Sequence, residues 1–115
     1  MPPEDIAHLE TLIARLAALK GRDHDLDAAI AEQLDDMTDA AAVPPYTASV
    51  DRCLELLHRC LPDWHWHLGY GANGVLPYAV LTRGDRRHEA MAATVPLALL
   101  IALARASLEL ARDGG

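Results

Sequence analysis

The sequence is poor in aromatic, cysteine and basic residues, and each shortage excludes a class of protein. Of its 115 residues, 4% are aromatic and none is phenylalanine. Two cysteines are too few for the disulfide framework of a small secreted domain. Ten basic and seventeen acidic residues leave a net charge of −7, which argues against nonspecific binding to nucleic acid or to an anionic membrane. Since 51% of the residues are hydrophobic, we expect residues 1–115 to form one domain with its own core.

Long hydrophobic runs are also missing. The apolar stretch from Ala90 to Ala104 has fifteen residues and includes Pro96, whereas a helix that crosses a bilayer needs about 20 apolar residues. The N-terminus, MPPEDIAHLE, opens with two prolines and two acids where a signal peptide carries positive charge. We therefore expect a cytoplasmic protein without a membrane partner.

Three segments in the first half of the chain have the hydrophobic period of amphipathic helices. The first is predicted from about residue 6 to a stop at Lys20. The second is predicted to begin at an N-cap of Asp23 or Asp25. The third is predicted to begin near Thr47 or Ser49 and to end at the Pro-Asp pair at 62–63.

A long final helix is predicted after Thr94, which caps it, with Pro96 in the first turn where no N–H is needed. Its apolar residues surround most of the circumference, so the helix is expected at the centre of the domain or of an oligomer. We consider one stripe of this helix a candidate homodimer contact, formed by Leu99, Leu103 and Leu110.

Between the helices, the hydrophobic period changes to that of a β-strand. Residues 64–82 are predicted as a hairpin whose turn lies in Gly69–Gly74. Pro77 indicates that the second strand is an edge strand or contains a bulge. Residues 88–93 are a candidate third strand. The order α-α-α-β-β-(β)-α predicts an α+β domain, a small antiparallel sheet covered by helices.

Acidic residues are concentrated in one window. Residues 23–39 contain seven acidic side chains and no lysine or arginine. The seven negative charges of this window equal the net charge of the whole chain, −7. Such a concentration of negative charge can bind a basic groove on a partner, including a groove that normally binds nucleic acid. The alternative is a solvated helix face whose acids cap the helix. The candidate partner-binding residues are Asp23, Asp25, Asp27, Glu32, Asp35, Asp36 and Asp39.

Histidines and cysteines are weaker candidates for chemistry. His65 and His67 lie on one face of the predicted strand, where both imidazoles can reach one metal ion. Two ligands make a weak site and an ordinary polar sheet face is the alternative, so we expect no metal and no other cofactor. Cys53 and Cys60 share a helical face among leucines, which is typical of buried structural thiols.

The tryptophans point away from these histidines. Trp64 and Trp66 are predicted as core aromatics, and an exposed anchor in a partner interface is the alternative. The sequence contains no P-loop, HExxH or GxSxG motif. We therefore expect that the protein is not an enzyme.

Four stretches together resemble the phage α-β-α sandwich domain of small bacteriophage and prophage proteins. They are DLDAAIA at 25–31, PPYTASVD at 44–51, WHWHL at 64–68 and TVPLAL at 94–99, and the resemblance covers about residues 20–110. It implies a fold and a phage setting, and it assigns no catalytic residue or ligand.

With the acidic window, this resemblance favours a non-enzymatic binding protein of phage or prophage origin. Its partner would be a host protein or a nucleoprotein complex that acts in defence or in nucleic-acid handling. The acidic face would bind and inhibit this partner, as an anti-CRISPR protein does. The alternative is a structural or assembly factor of the virion that self-associates through its C-terminal helix.

Overall fold

The computed structural model describes residues 3–35, 43–71 and 76–113, which form four α-helices and a three-stranded sheet. In chain order the elements are α1 (Pro3–Ala18), α2 (His24–Leu34), α3 (Val50–Cys60), β1 (His65–Tyr70), β2 (Pro77–Arg83), β3 (Arg86–Met91) and α4 (Val95–Asp113). A single 3-10 turn, Tyr46–Ala48, precedes α3. This order confirms the predicted α+β class, including the third strand. Most of the predicted glycine-rich turn, at 72–75, lies outside the described residues.

Side-chain caps begin three of the helices. Asp23, Ser49 and Thr94 stand immediately before α2, α3 and α4, and each accepts a hydrogen bond from a backbone N–H in the first turn. The distances are 2.9, 3.3 and 3.3 Å. The first four N–H groups of a helix have no partner within the helix, which is why a short polar side chain is favoured at this position. Thr94 is the predicted cap of α4, Asp23 is one of the two caps predicted for α2, and Ser49 is one of the two predicted start positions of α3.

The sheet is antiparallel, with β2 in the middle of the order β1-β2-β3. Both alternatives predicted from Pro77 are therefore wrong: β2 is not an edge strand, and its register with β1 and β3 is continuous, without a bulge. Pro77 is accommodated because it is the first residue of β2, and its carbonyl still accepts a hydrogen bond from the Ala92 N–H at 3.2 Å. Only two residues join β2 to β3, and Gly84 adopts a positive φ of 61° there, which glycine reaches without steric cost.

Helix α4 is the centre of the domain. It packs against α1 and α3 and against all three strands of the sheet, mainly β2 and β3. Eight consecutive residues, 97–104, are buried. Leu99 and Leu103 are both 0% exposed, so the predicted homodimer contact through these residues is wrong, and Leu110 is only partly exposed. Among the described helices, α4 included, none combines the length and apolarity that a membrane span requires.

Candidate protein-binding edge of the sheet

The acidic side chains predicted as a partner surface do not form one exposed face. Asp27 is 0% exposed, and its Oδ1 accepts a hydrogen bond from the Thr47 backbone N–H at 2.7 Å. Asp23 caps α2, and its backbone N–H donates to the Thr47 hydroxyl at 2.8 Å. The assignment of Asp27 to a partner-binding surface is therefore wrong, because its carboxylate holds the turn before α3.

Asp35 is part of an internal ion pair. Its carboxylate accepts hydrogen bonds from Arg59 Nε at 2.9 Å and Nη2 at 2.7 Å, and from the Tyr46 hydroxyl at 2.7 Å. The hydrogen bond from Arg59 is the main reason that the pKa of Asp35 is lowered. Burial, followed by the hydrogen bond to Asp35, raises the pKa of Tyr46. These contacts tie the end of α2 to α3.

Only two of the seven acids remain on the described surface without such a role. Asp25 and Glu32 are exposed on α2, whereas Asp36 and Asp39 lie outside the described residues. Asp23, Asp27 and Asp35 thus connect α2 and its two ends to residues 46–47 of the turn. The two segments at 25–31 and 44–51, which carried much of the resemblance, therefore contact each other directly.

The histidines do not converge on a metal site. His65 and His67 lie on the sheet face turned away from α4, and His67 Nε2 is 2.9 Å from the Tyr78 hydroxyl. His88 lies on the other face of the sheet, and its Nε2 is 2.6 Å from Glu109 Oε2 on α4. In the ranges that the structure describes, no group of three histidine, cysteine or acidic residues is placed to hold a metal ion.

The hydrogen bond between His88 and Glu109 links β3 to α4. The His88 ring also packs at 5.9 Å, centroid to centroid, from the buried Trp64. The hydrogen bond from His88 is the main reason that the pKa of Glu109 is lowered. Beside this pair, Arg86 Nη1 lies 3.0 Å from Asp113 Oδ2. These polar groups pair with one another, as expected of a packing contact.

The two thiols are structural. Cys53 is 0% exposed, and its Sγ donates to the Tyr46 carbonyl at 3.0 Å. Burial, with a smaller effect of the nearby Asp27 charge, raises the pKa of Cys53 to about 12. Its thiol is therefore protonated at neutral pH, and a nucleophile must be a thiolate. The half-buried Cys60 Sγ lies 3.1 Å from the Leu34 carbonyl.

Exposed aromatic side chains lie instead on β1. Trp66 and Tyr70 are 44% and 62% exposed, although both point to the sheet face that packs on α4. Trp64, at 5% exposed, is the core aromatic that the sequence predicts. The core prediction for Trp66 is wrong, because α4 packs mainly on β2 and β3 and leaves much of β1 uncovered.

Among the residues that the structure describes, none pairs with the outer side of the β1 backbone. The Gly71 N–H donates to the Leu76 carbonyl at 2.9 Å. Because hydrogen-bonded and non-hydrogen-bonded pairs alternate along an antiparallel ladder, the N–H and C=O groups of residues 66, 68 and 70 point away from β2. We call these backbone groups, with the side chains of Trp66, Leu68 and Tyr70, the β1 edge.

The other edge of the sheet is charged and partly covered. On β3, Arg105 Nη1 donates to the outward-facing Glu89 carbonyl at 3.0 Å. The Arg87 and Glu89 side chains form an ion pair at 2.7 Å. Charged side chains and covered carbonyls are the usual protection of an edge strand against further pairing. β1, with the sequence HWHLGY, has no lysine, arginine, acid or proline, so it lacks this protection.

A cavity lies at one end of the β1 edge. It has a volume of about 490 Å³ and opens between Tyr70 and Pro77 of the sheet, Val50 at the start of α3, and Pro96 at the start of α4. Its lining is largely apolar. An extended segment added along β1 would therefore reach a recess into which a side chain fits.

Part of this site could have been found in the sequence. The alternation of Trp66 and Leu68 with histidines predicts a two-sided strand, and residues 64–82 contain no charged side chain. What the sequence did not indicate is that β1 lies at an edge.

No family model matches the chain, and no similar protein was found among curated proteins or solved structures.

Proposed function

We propose that this protein acts through protein–protein contacts, by adding an extended segment of a partner to the β1 edge. The observation that carries the proposal is the contrast between the two sheet edges: Arg105 covers a carbonyl of β3, whereas β1 has no such cover within the described residues and is bordered by exposed aromatics. In strand addition, backbone hydrogen bonds supply affinity and alternate side chains supply specificity. Trp66 and Tyr70 are the residue types that dominate binding energy in protein interfaces.

The biological setting is the second part of the proposal. The resemblance of four segments to a phage domain favours a phage or prophage protein acting in a bacterial host. Within that setting we propose inhibition of a host defence or nucleic-acid-handling complex, and the alternative is an assembly factor of the virion. Both roles require a protein-binding surface and neither requires a catalytic residue.

The experiment is affinity capture from bacterial lysate with three tagged proteins. Trp66→Glu places a charge on the β1 edge, and Met91→Glu places the same charge at the other edge, where Met91 is 57% exposed. We expect the wild-type protein and Met91→Glu to retain a specific partner that Trp66→Glu loses. Retention of that partner by a folded Trp66→Glu protein would contradict the β1 edge as the binding surface.

The acidic surface remains a second candidate, now reduced to Asp25 and Glu32 among the described residues. Both are exposed and neither forms an ion pair there. The double variant Asp25→Lys and Glu32→Lys tests it without disturbing the Asp35–Arg59 pair. Loss of the partner in this variant, with retention by Trp66→Glu, would favour the acidic surface. Such a contact would also weaken at high salt.

A further inference from the structure

We infer that the strand added to β1 is β1 of a second copy of this chain, which produces a symmetric dimer with a continuous six-stranded antiparallel sheet. This inference rests on the proposed binding function of the β1 edge and names its occupant. Three features of β1 lead to it: the spacing of its outward backbone groups, the arrangement of its apolar side chains and its lack of charge.

The backbone spacing fits a two-fold axis. Outward groups occur at three alternate residues, Trp66, Leu68 and Tyr70, with Leu68 in the middle. When two such strands run antiparallel about an axis through Leu68, each Trp66 is opposite Tyr70 of the other copy. All these positions are then hydrogen-bonded pairs, so every open group of the central segment finds a partner.

The side chains are self-complementary in the same register. On the face toward α4, the two Leu68 side chains meet at the axis and a Trp66–Tyr70 pair lies on each side, which covers the most exposed apolar groups of β1. Aromatic pairs across antiparallel strands are favourable contacts. On the other face, each His67 is opposite Gly69 and each His65 is opposite Gly71, so the imidazoles do not collide.

The charge of β1 favours a like strand over a charged partner segment. Each chain carries a net charge of −7, which opposes self-association at most surfaces. β1 carries no acidic, lysine or arginine side chain, so two copies approach there without like charges facing each other across the strands. A charged partner segment would lose hydration at this edge without meeting an opposite charge on β1.

The test is sedimentation velocity of the purified full chain over a range of concentrations. We expect the wild-type protein and Met91→Glu to form a dimer. Trp66→Glu should raise the dissociation constant by about tenfold or more, because a carboxylate then faces Tyr70 across each side of the axis. Adding Tyr70→Lys to Trp66→Glu should restore the dimer, since opposite charges then face each other in this register and in no shifted one.

Each outcome of this experiment either supports or overturns the inference. A wild-type protein that stays monomeric at all concentrations overturns the inference, while loss of a lysate partner by Trp66→Glu would still support the proposed function. A dimer that Trp66→Glu leaves unchanged overturns the inference as well. Circular dichroism confirms that each variant is folded. If Trp66→Glu does not fold, Tyr70→Glu replaces it, because Tyr70 is 62% exposed and tolerates the change better.

Discussion

A buried carboxylate fixes the turn that precedes α3. Asp27 is 0% exposed and accepts the Thr47 N–H at 2.7 Å, twenty residues further along the chain. Asp27→Ala leaves that N–H buried without an acceptor, which costs about 1–3 kcal/mol. We expect this fall in the free energy of unfolding in urea titrations. Glu32→Ala, at an exposed position of the same helix, is the control and should change it by less than about 0.5 kcal/mol.

Asp35 makes stability depend on pH. Its pKa in the folded protein lies below the usual 3.8, mainly because Arg59 donates hydrogen bonds to it. Its contribution is therefore fully present above the unfolded pKa and is lost as the pH falls through the folded pKa. Asp35→Asn should be less stable than the wild type at pH 7, and the difference should shrink below about pH 4.

Unfolding midpoints of the two proteins between pH 7 and pH 2 check this prediction. Glu32→Gln removes an exposed carboxyl from the same helix and serves as the control. A stability difference between the wild type and Asp35→Asn that stays constant across this range would contradict the assigned role of the Arg59 pair.

At the scale of elements, α4 determines stability because it is enclosed on both sides. Leu103→Ala removes a fully buried side chain and should lower the free energy of unfolding by about 2–5 kcal/mol. Leu110→Ala on the same helix is partly exposed and should cost clearly less. Thermal or urea unfolding compares the two variants. Equal small effects would show that Leu103 lies on a surface, as the original dimer hypothesis required.

Local features of these elements were predictable from the sequence, and relations between distant residues were not. The caps Asp23, Ser49 and Thr94 depend on a few neighbouring residues, so their residue types indicate them, although Asp25 and Thr47 are equally suitable types for the first two. Asp25 and Asp27 are the same residue type two positions apart, yet only Asp27 is buried, because Thr47 packs against it. Likewise, Trp66 has the pattern of a core residue, and its exposure depends on which strands α4 covers.

At the scale of the whole molecule, the sheet has two different edges. β3 has charged side chains and a carbonyl covered by Arg105, whereas β1 has no charged side chain and, within the described part of the chain, no covered carbonyl. An open edge without charge promotes unwanted pairing between molecules, and proteins usually protect it. Its presence in an otherwise strongly acidic molecule is consistent with selection for one particular partner strand.

The central position of α4 also has a consequence during synthesis. Helix α1 and strands β2 and β3 bury their apolar faces on a helix that emerges from the ribosome after all of them. At about 5–20 residues per second, α1 waits on the order of ten seconds for this helix, and β2 and β3 wait about a few seconds. During that time the nascent chain exposes both the future core and the open strand β1. We therefore expect the growing chain to bind ribosome-associated chaperones until residue 113 has been made, and to fold only afterwards.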